Sequence, residues 1–386
     1  MRDAADKNTW LYASVACGLG LIAAFVLLEI ALRLLPVREP LQAQPVTRNN
    51  PYLHFKPNNE VVFSMGWNFA IVNKVRINNY GFVNDQDYDP EAPTPLMAVI
   101  GDSYVEAAHV PYAATLHGRL AAAVAPRGRI YSFASSGSAL SQYLAYAEFA
   151  RDRFRPDAVT VVVIANDFDE SLMEYSSDPG FHYLKQTASG GYSLELVPFQ
   201  PSRLHRALRS SALVRYVHGN GFVDAARRHI QSALSGEAPQ FVGNVAAQVD
   251  VPRLQKSQEA LDYFLETLPR YSGVPSERIV LIVDGERPQL YDAQQLKAVQ
   301  TSYFSQMRSY LIAHAMARGY NVVDMQPRFM ARHARDGTRF EWPIDAHWNA
   351  SGHEEAAKAV AETGVLERVF GSGSHHGRVE SGEALR

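Results

Sequence analysis

The sequence predicts an α/β fold, a three-layer α/β/α sandwich with about five parallel strands, preceded by one N-terminal transmembrane helix. The fold class follows from strand and helix patterns that alternate from Leu96 onward, which is typical of a parallel sheet with helices on both faces. The membrane helix is predicted from one long apolar run near the N-terminus. We expect strands near 96–101, 129–133, 157–164, 278–284 and 320–324, and helices near 112–125, 139–154, 255–270, 293–318 and 350–369.

The N-terminal run is long enough to cross a bilayer, which takes about 20 apolar residues. It extends from Trp10 to beyond Leu28, with Tyr12 near one end and Arg33 near the other, as suits residues at the two membrane interfaces. A cleaved signal peptide is the alternative, but no small-x-small cleavage site precedes Pro36. We therefore expect an uncleaved anchor.

Composition divides the rest of the chain. The segment after the anchor is rich in proline and asparagine but also in aromatic side chains, so we expect it to pack on the folded domain. Within that domain the alternation breaks down, which indicates an insertion over the strand ends. We expect a short tail at 1–9, the anchor at 10–35, an extended leader at 36–95, the α/β domain at 96–370 with its insertion at about 170–276, and a disordered tail at 371–386.

The insertion contains an amphipathic, arginine-rich stretch at 204–234. One interpretation is a helix whose charged face is simply solvated. The other is contact with anionic lipid headgroups or with an acidic polymer. The sequence leaves both open.

Overall composition excludes several classes of function. The chain has 386 residues, 47% of them hydrophobic, which is enough for one large domain or two small ones. A net charge of −3 argues against a nucleic-acid partner, because nucleic-acid-binding proteins normally carry a basic excess. The single cysteine, Cys17, lies in the N-terminal run, so the folded part has no disulfide, thiolate metal site or cysteine nucleophile.

Two motifs at opposite ends of the domain supply the parts of a nucleophilic site. Gly101-Asp102-Ser103 follows the first predicted strand, and Asp345-Ala346-His347 precedes the last predicted helix. A serine hydroxyl is a poor nucleophile until an imidazole takes its proton, and the imidazole needs a carboxylate to fix its tautomer. Ser103, His347 and Asp345 are therefore candidate catalytic residues.

Two further residues follow predicted strands and suit an oxyanion hole. Gly137 comes just after the apolar run Ile130 to Phe133, and Asn166 ends the run that begins at Ala158. Ligands of open parallel sheets bind at the carboxyl ends of the strands. A glycine lets its backbone N–H approach a substrate closely, and an asparagine amide can donate to a developing oxyanion.

In this order, the four blocks resemble those of the SGNH (GDSL-type) hydrolase superfamily of serine esterases and acyltransferases. The resemblance covers roughly Leu96 to Val369, interrupted by the insertion. It implies Ser103 as nucleophile, His347 as general base and Asp345 as its partner. It also implies an oxyanion hole made of the Ser103 N–H, the Gly137 N–H and the Asn166 side chain.

The chain departs from the usual pattern of this superfamily in two places. Ile344 occupies the acid position of the usual Asp-x-x-His, so the acid must be Asp345, which is one residue closer to His347. The resulting Asp-x-His-Trp pattern resembles that of some bacterial polysaccharide O-acetyltransferases. The nucleophile block continues with Tyr-Val-Glu instead of leucine, which resembles a membrane-anchored bacterial branch. That branch also carries a segment like Asn79-Tyr80-Gly81-Phe82 before the nucleophile strand.

Each candidate residue also has a structural interpretation. Ser103 suits a turn, Asn166 a turn or helix cap, and Gly137 backbone curvature. His353 competes with His347 for the role of base, although its place at the start of a helix favours packing or capping. Arg287 follows the fourth strand and could bind a substrate carboxylate or form an ion pair.

These residues predict a serine-dependent esterase that acts on acyl esters, acetyl being the expected acyl group. The expected substrate is an acylated glycan or lipid of the cell envelope. We expect no cofactor and no metal; protein partners do not follow from the sequence. By analogy with the family, the catalytic domain is expected on the periplasmic side of a single-pass anchor. The alternatives are an O-acyltransferase of an envelope polysaccharide with the same triad, and a non-catalytic binding or assembly subunit of a polysaccharide system.

Overall fold

The structure, a computed structural model, describes residues 2–221, 241–242 and 244–371. Helix α1 (Arg2–Arg33) contains the apolar run and leads into an extended segment. There, strands β1 (Asn59–Met65) and β2 (Ile71–Ile77) form an antiparallel hairpin. The turn that follows holds Gly81 at φ +83°, where a Cβ atom would lie 2.3 Å from a backbone oxygen, so this position requires glycine.

The first half of the α/β domain alternates strands and helices. In order these are β3 (Leu96–Gly101), α2 (Ser103–Glu106), α3 (Leu116–Val124), β4 (Arg129–Ala134), α4 (Leu140–Phe154) and β5 (Ala158–Val163). Every residue of β3 and β5 is buried. Strands buried on both faces read as continuous apolar runs, which is why the sequence predicts them closely.

The insertion contains two hairpins and two short helices among its described residues. They are β6 (His182–Gln186), β7 (Tyr192–Leu196), α5 (Arg203–Leu208), α6 (Ala212–Gly219), β8 (Phe241–Val242) and β9 (Val245–Ala246). The predicted amphipathic stretch therefore begins with two helices, and its part from 222 to 234 lies outside the described residues.

The second half completes the domain with the following elements. They are α7 (Val251–Ser272), β10 (Ile279–Val283), α8 (Ala293–Ala298), α9 (Tyr303–Ala317), β11 (Asn321–Asp324), α10 (Met325–Asp336), β12 (Glu341–Trp342), β13 (Asp345–Trp348), α11 (Ala350–Glu362) and α12 (Val365–Phe370). The predicted tail, from 372 onward, lies outside the described residues.

The central sheet has five parallel strands in the order β11-β10-β5-β3-β4. Alternate residues of each strand face opposite layers. Thus Ala98 and Ile100 of β3 pack with helices α4, α7 and α9, while Met97 and Val99 pack with α3, α10 and α11. The predicted three-layer fold is confirmed. Residues 36–95 contribute Phe82 and Tyr88 to the first of these two cores.

Three helices differ from the prediction, each because of a local signal. The helix expected at 293–318 is two, since Ser302 caps a new helix by accepting the Ser305 N–H. The helix expected at 350–369 ends at Glu362, and Gly364 at φ +72° separates it from α12. Helix α10 was not predicted; it starts directly after β11, capped by Asp324.

Candidate active site

The Gly-Asp-Ser motif makes a sharp turn from strand β3 into helix α2. A Cβ atom on Gly101 would lie 2.4 Å from the Val105 side chain, so only glycine fits where the strand meets the helix. The Asp102 carboxylate caps α2 by accepting the Tyr104 N–H at 2.9 Å. Ser103 is thereby the first residue of α2, half-buried at the carboxyl end of a central strand.

Strand β13 presents Asp345 and His347 on one face, because side chains two residues apart on a strand point the same way. Asp345 Oδ1 lies 2.6 Å from His347 Nδ1 and also accepts the His347 backbone N–H at 2.8 Å. His347 Nε2 lies 2.8 Å from Ser103 Oγ. The structure therefore brings together the three residues predicted as nucleophile, base and acid, with Asp-x-His in place of Asp-x-x-His.

The charge on Asp345 fits an orienting role. Burial raises the pKa of its carboxyl, but the hydrogen bond from His347 and the charge of that imidazole outweigh burial and leave the pKa at about 2. An ionised carboxylate on Nδ1 holds the proton there. Nε2 is then the ring atom left to accept the Ser103 proton.

A second imidazole, His109, lies against the relay and was not predicted. Its ring stacks on His347 with centroids 4.3 Å apart and planes 22° apart, and its Nε2 is 3.6 Å from Asp345 Oδ1. It is 7% exposed, and burial lowers the pKa of its imidazole to about 3, with His347 acting in the same direction. His109 therefore packs as a neutral ring behind the base. The only sequence signal is its place six residues after Ser103.

His109, Asp345 and His347 are also close enough together to raise the question of a metal ion. The two imidazole rings are nearly parallel, so the in-plane lone pairs of their nitrogens do not converge on a common point. His347 already has Asp345 on one nitrogen and Ser103 on the other. This arrangement suits proton transfer better than metal binding.

The rival histidine has a structural place. His353 is 1% exposed, and its Nδ1 accepts the Leu116 backbone N–H at 3.2 Å. Burial lowers the pKa of its imidazole well below the usual value. His353 thus joins helix α11 to helix α3 inside the protein.

The loop after β4 presents Gly137 to solvent. Gly137 adopts φ +86°, and among the described residues its N–H has no hydrogen-bond partner. The preceding residue is fixed by the buried Glu106, whose carboxylate accepts both the Ser136 N–H and the Ser136 hydroxyl at 2.9 Å. Burial raises the pKa of the Glu106 carboxyl. Glu106, which ends the Tyr-Val-Glu segment that departs from the usual pattern, therefore holds this loop in shape.

Asn166 lies in the 3-10 turn Ala165–Asp167 directly after β5. Its Nδ2 donates to Glu170 Oε2 at 2.6 Å, and its Oδ1 accepts from Asn244 of the insertion. One amide hydrogen of Asn166 is therefore used and the other has no partner among the described residues. Because β4, β3 and β5 are neighbours, Gly137, Ser103 and Asn166 follow three adjacent strand ends.

The structure gives Arg287 a different place from the predicted substrate contact. Its guanidinium is 4% exposed and donates twice to Asp284, at 2.6 and 3.2 Å. The remaining N–H groups reach the Ala346 carbonyl at 2.9 Å, the Tyr104 hydroxyl at 3.1 Å and Glu341 at 3.5 Å. With all its donors used, Arg287 braces the strand that carries His347.

We expect Arg287→Ala to lower the free energy of unfolding by about 3–5 kcal/mol, because it leaves Asp284 buried without its partner. The matched control is Arg335→Ala, whose side chain is 70% exposed and whose ion pair is with Asp336, itself 38% exposed. That change should cost less than about 1 kcal/mol. Denaturant unfolding of both variants beside the wild type tests this; equal small losses would contradict a bracing role.

Comparisons with known proteins give one family and a set of distant structures. A lipase/acylhydrolase from Enterococcus faecalis is 12% identical, with a TM-score of 0.39, covering 73% of this chain and 100% of its own. A putative GDSL-like lipase from Parabacteroides merdae is 12% identical, with a TM-score of 0.39, covering 72% and 100%. A two-domain esterase active on acetylated mannans is 11% identical, with a TM-score of 0.38, covering 72% and 50%.

A search of curated proteins finds no significant match. Among the described residues, Trp10–Arg33 is the one helix long and apolar enough to cross a membrane, which is compatible with anchoring.

The family model described as GDSL-like lipase/acylhydrolase matches residues 97–360, which is more than half of the chain and contains both predicted motifs. The chain therefore belongs to the GDSL-like lipase/acylhydrolase family of ester-hydrolysing enzymes.

Proposed function

We propose that this chain is a serine esterase that hydrolyses acyl esters through an acyl-serine intermediate. The observation that carries the proposal is the continuous relay from Asp345 through His347 to Ser103, with hydrogen bonds of 2.6 and 2.8 Å. Such a relay is what a serine hydroxyl needs to act as a nucleophile near neutral pH.

In the first half-reaction Ser103 Oγ attacks the ester carbonyl carbon while its proton moves to His347 Nε2. The tetrahedral oxyanion is stabilised by the Ser103 and Gly137 N–H groups and by the free hydrogen of the Asn166 amide. When the intermediate collapses, the bond to the alcohol oxygen breaks and His347 returns the proton to that oxygen. Asp345 stays ionised and stabilises the imidazolium throughout.

In the second half-reaction a water molecule takes the place of the alcohol. His347 accepts one water proton as the oxygen attacks the acyl carbon, and then gives that proton to Ser103 Oγ. The products are the free acid and the regenerated serine. With a sugar hydroxyl in place of water, the same steps transfer the acyl group.

Removing the proposed oxyanion donor should slow the chemical step selectively. We expect Asn166→Ala to lower kcat by about 10²–10³-fold, as losing one preorganised donor does. The matched control is Asn244→Ala, which loses the contact with Asn166 Oδ1 but removes no donor to the oxyanion, and should lower kcat by less than about tenfold. Steady-state kinetics on a nitrophenyl ester compare the two; equal effects would remove Asn166 from the oxyanion hole.

A specific observation favours O-acyl transfer as the second candidate. The proposed base lies in Asp-Ala-His-Trp, an arrangement that resembles that of some polysaccharide O-acetyltransferases. Trp348, the tryptophan of this motif, is fully buried, and its Nε1 donates to Asp284 at 2.9 Å. To separate the two, the enzyme is given nitrophenyl acetate with and without an oligosaccharide acceptor. Release of acetate alone supports the esterase, whereas acetylated sugar supports the transferase. A non-catalytic subunit would yield neither product.

We also propose that residues 10–35 anchor the enzyme as a single membrane span. The leader at 36–95 and the domain at 96–370 then lie on the periplasmic side. The substrate we propose is an acylated glycan or lipid of the cell envelope. Support comes from the exposure of the apolar side chains of α1, such as Leu21 at 73% and Leu27 at 68%. Resistance to carbonate extraction together with protease accessibility from the periplasm tests this topology. Release by carbonate, or protection from the protease, would contradict it.

A further inference from the structure

A cavity of about 560 Å³ lies between the leader and the insertion. Its volume is within the range of small-molecule sites. Its wall is largely apolar and includes Leu41, Phe55, Phe181, Phe199, Leu208 and Val214.

This cavity adjoins the candidate active site. Glu106 and Ser136 line it, and these two residues hold the loop that presents Gly137. Phe181, also in its wall, lies 3.5 Å from where a Cβ atom on Gly137 would be. A molecule that fills the cavity therefore ends beside the proposed oxyanion hole.

The polar part of the wall is cationic. Arg38, Arg209 and Arg215 line the cavity, and Glu106 is the one carboxylate among the lining residues. Within the described parts of the chain, no carboxylate is within salt-bridge distance of these three guanidinium groups, and the buried Arg215 Nε has no hydrogen-bond partner. The half-buried guanidinium groups of Arg38 and Arg215 are stabilised by an anion, and the exposed Arg209 adds positive charge beside them, so this cluster is complementary to a phosphate or carboxylate.

The cavity wall is attached to the end of the apolar helix. Glu29 of α1 accepts the Ala212 and Leu213 N–H groups at 2.9 and 3.0 Å and so caps α6, the helix that carries Val214 and Arg215. Arg38 follows the last residue of α1 by five positions, a span of at most about 18 Å. If α1 is in a bilayer, the cavity lies at the headgroup region.

We propose that this cavity binds an anionic lipid, with the acyl part against the apolar wall and the phosphate or carboxylate headgroup on Arg38, Arg209 and Arg215. The lipid site is inferred from the cavity, its charges and its attachment to α1. One consequence rests on the proposed function: the ester presented to Ser103 then belongs to an anionic amphiphile.

Binding is tested on the full chain carrying Ser103→Ala, in phosphatidylcholine nanodiscs, so that no lipid is turned over. Short-chain phosphatidylglycerol and short-chain phosphatidylcholine are titrated by calorimetry. We expect phosphatidylglycerol to bind at least about tenfold more tightly, because both lipids carry a phosphate but only phosphatidylcholine also carries a quaternary ammonium, which the three guanidinium groups repel. Adding Arg209→Gln, an exposed position that leaves the core intact, should bring the ratio of affinities toward one. Adding Arg206→Gln on α5, which does not line the cavity, should leave the ratio unchanged.

Equal affinities for the two lipids, or a preference that survives Arg209→Gln and Arg215→Gln, would overturn the proposal. So would an acidic oligosaccharide that binds more tightly than phosphatidylglycerol, since the anion would then belong to a glycan. Hydrolysis of nitrophenyl acetate by the wild type is measured separately. If no hydrolysis is found but lipid binding is selective, the proposed esterase activity is refuted and the lipid site is supported.

Discussion

Replacement of Ser103 by alanine should abolish ester hydrolysis, with a fall in kcat of at least about 10⁴-fold on a short-chain nitrophenyl ester. In the proposed mechanism the hydroxyl that lies 2.8 Å from His347 Nε2 attacks the carbonyl, and alanine leaves no oxygen at that position to form an acyl-enzyme. The rate measured for the purified full-length variant, beside the wild type, gives the size of the loss.

The matched control is Ser189→Ala, a serine exposed in the loop between β6 and β7. It should keep full activity. Because Ser103 is only half-buried at the start of α2, its replacement should also leave thermal unfolding nearly unchanged. Wild-type activity in the Ser103 variant would mean that hydrolysis proceeds through another nucleophile or through direct attack by water.

Asp345→Asn should lower kcat by about 10³–10⁴-fold with little change in KM, because an amide at this position favours the wrong imidazole tautomer. The carboxylate accepts from His347 Nδ1 at 2.6 Å and remains ionised down to a pKa of about 2. Its protonation therefore contributes nothing to the pH dependence of the wild type near neutrality, and the loss in the variant should be similar across that range.

A second substitution tests why the acid is two residues from the base. Ile344 occupies the usual acid position, but its side chain is 50% exposed and its Cδ1 lies 2.9 Å from where a Cβ atom on Gly66 would be. Because Ile344 precedes the strand and points toward Gly66, Ile344→Asp should not rescue Asp345→Asn. Recovery of activity in the double variant would show that this segment can present a carboxylate from either position.

The sheet and the candidate site were predictable because both are encoded locally. Strands such as β3 and β5 are continuous apolar runs, and their ends are marked by Ser103 and Asn166. Parallel strands end at one edge of a sheet, so residues after adjacent strands converge without further information. The pairing of Asp345 with His347 was predicted as well; the strand conformation of β13 explains how an acid only two residues before the base reaches its ring.

Buried charged and polar groups were not predictable. Arg287 reads as a surface residue, yet it is buried against Asp284, and His109 and Glu106 read as loop residues, yet both pack beneath the site. Their burial depends on partners distant in sequence, and no local pattern carries that information. The break between α8 and α9 was missed for a simpler reason: helical periodicity continues across Ser302, and the cap outweighs it.

The most direct test of the central claim is covalent labelling of the full-length wild type with a fluorophosphonate, followed by peptide mass spectrometry. The account predicts one phosphonylated residue, Ser103, with labelling lost in Ser103→Ala and strongly slowed in His347→Ala. Labelling at another residue, or none in a folded protein that hydrolyses esters, would contradict the proposal that an activated Ser103 carries the reaction.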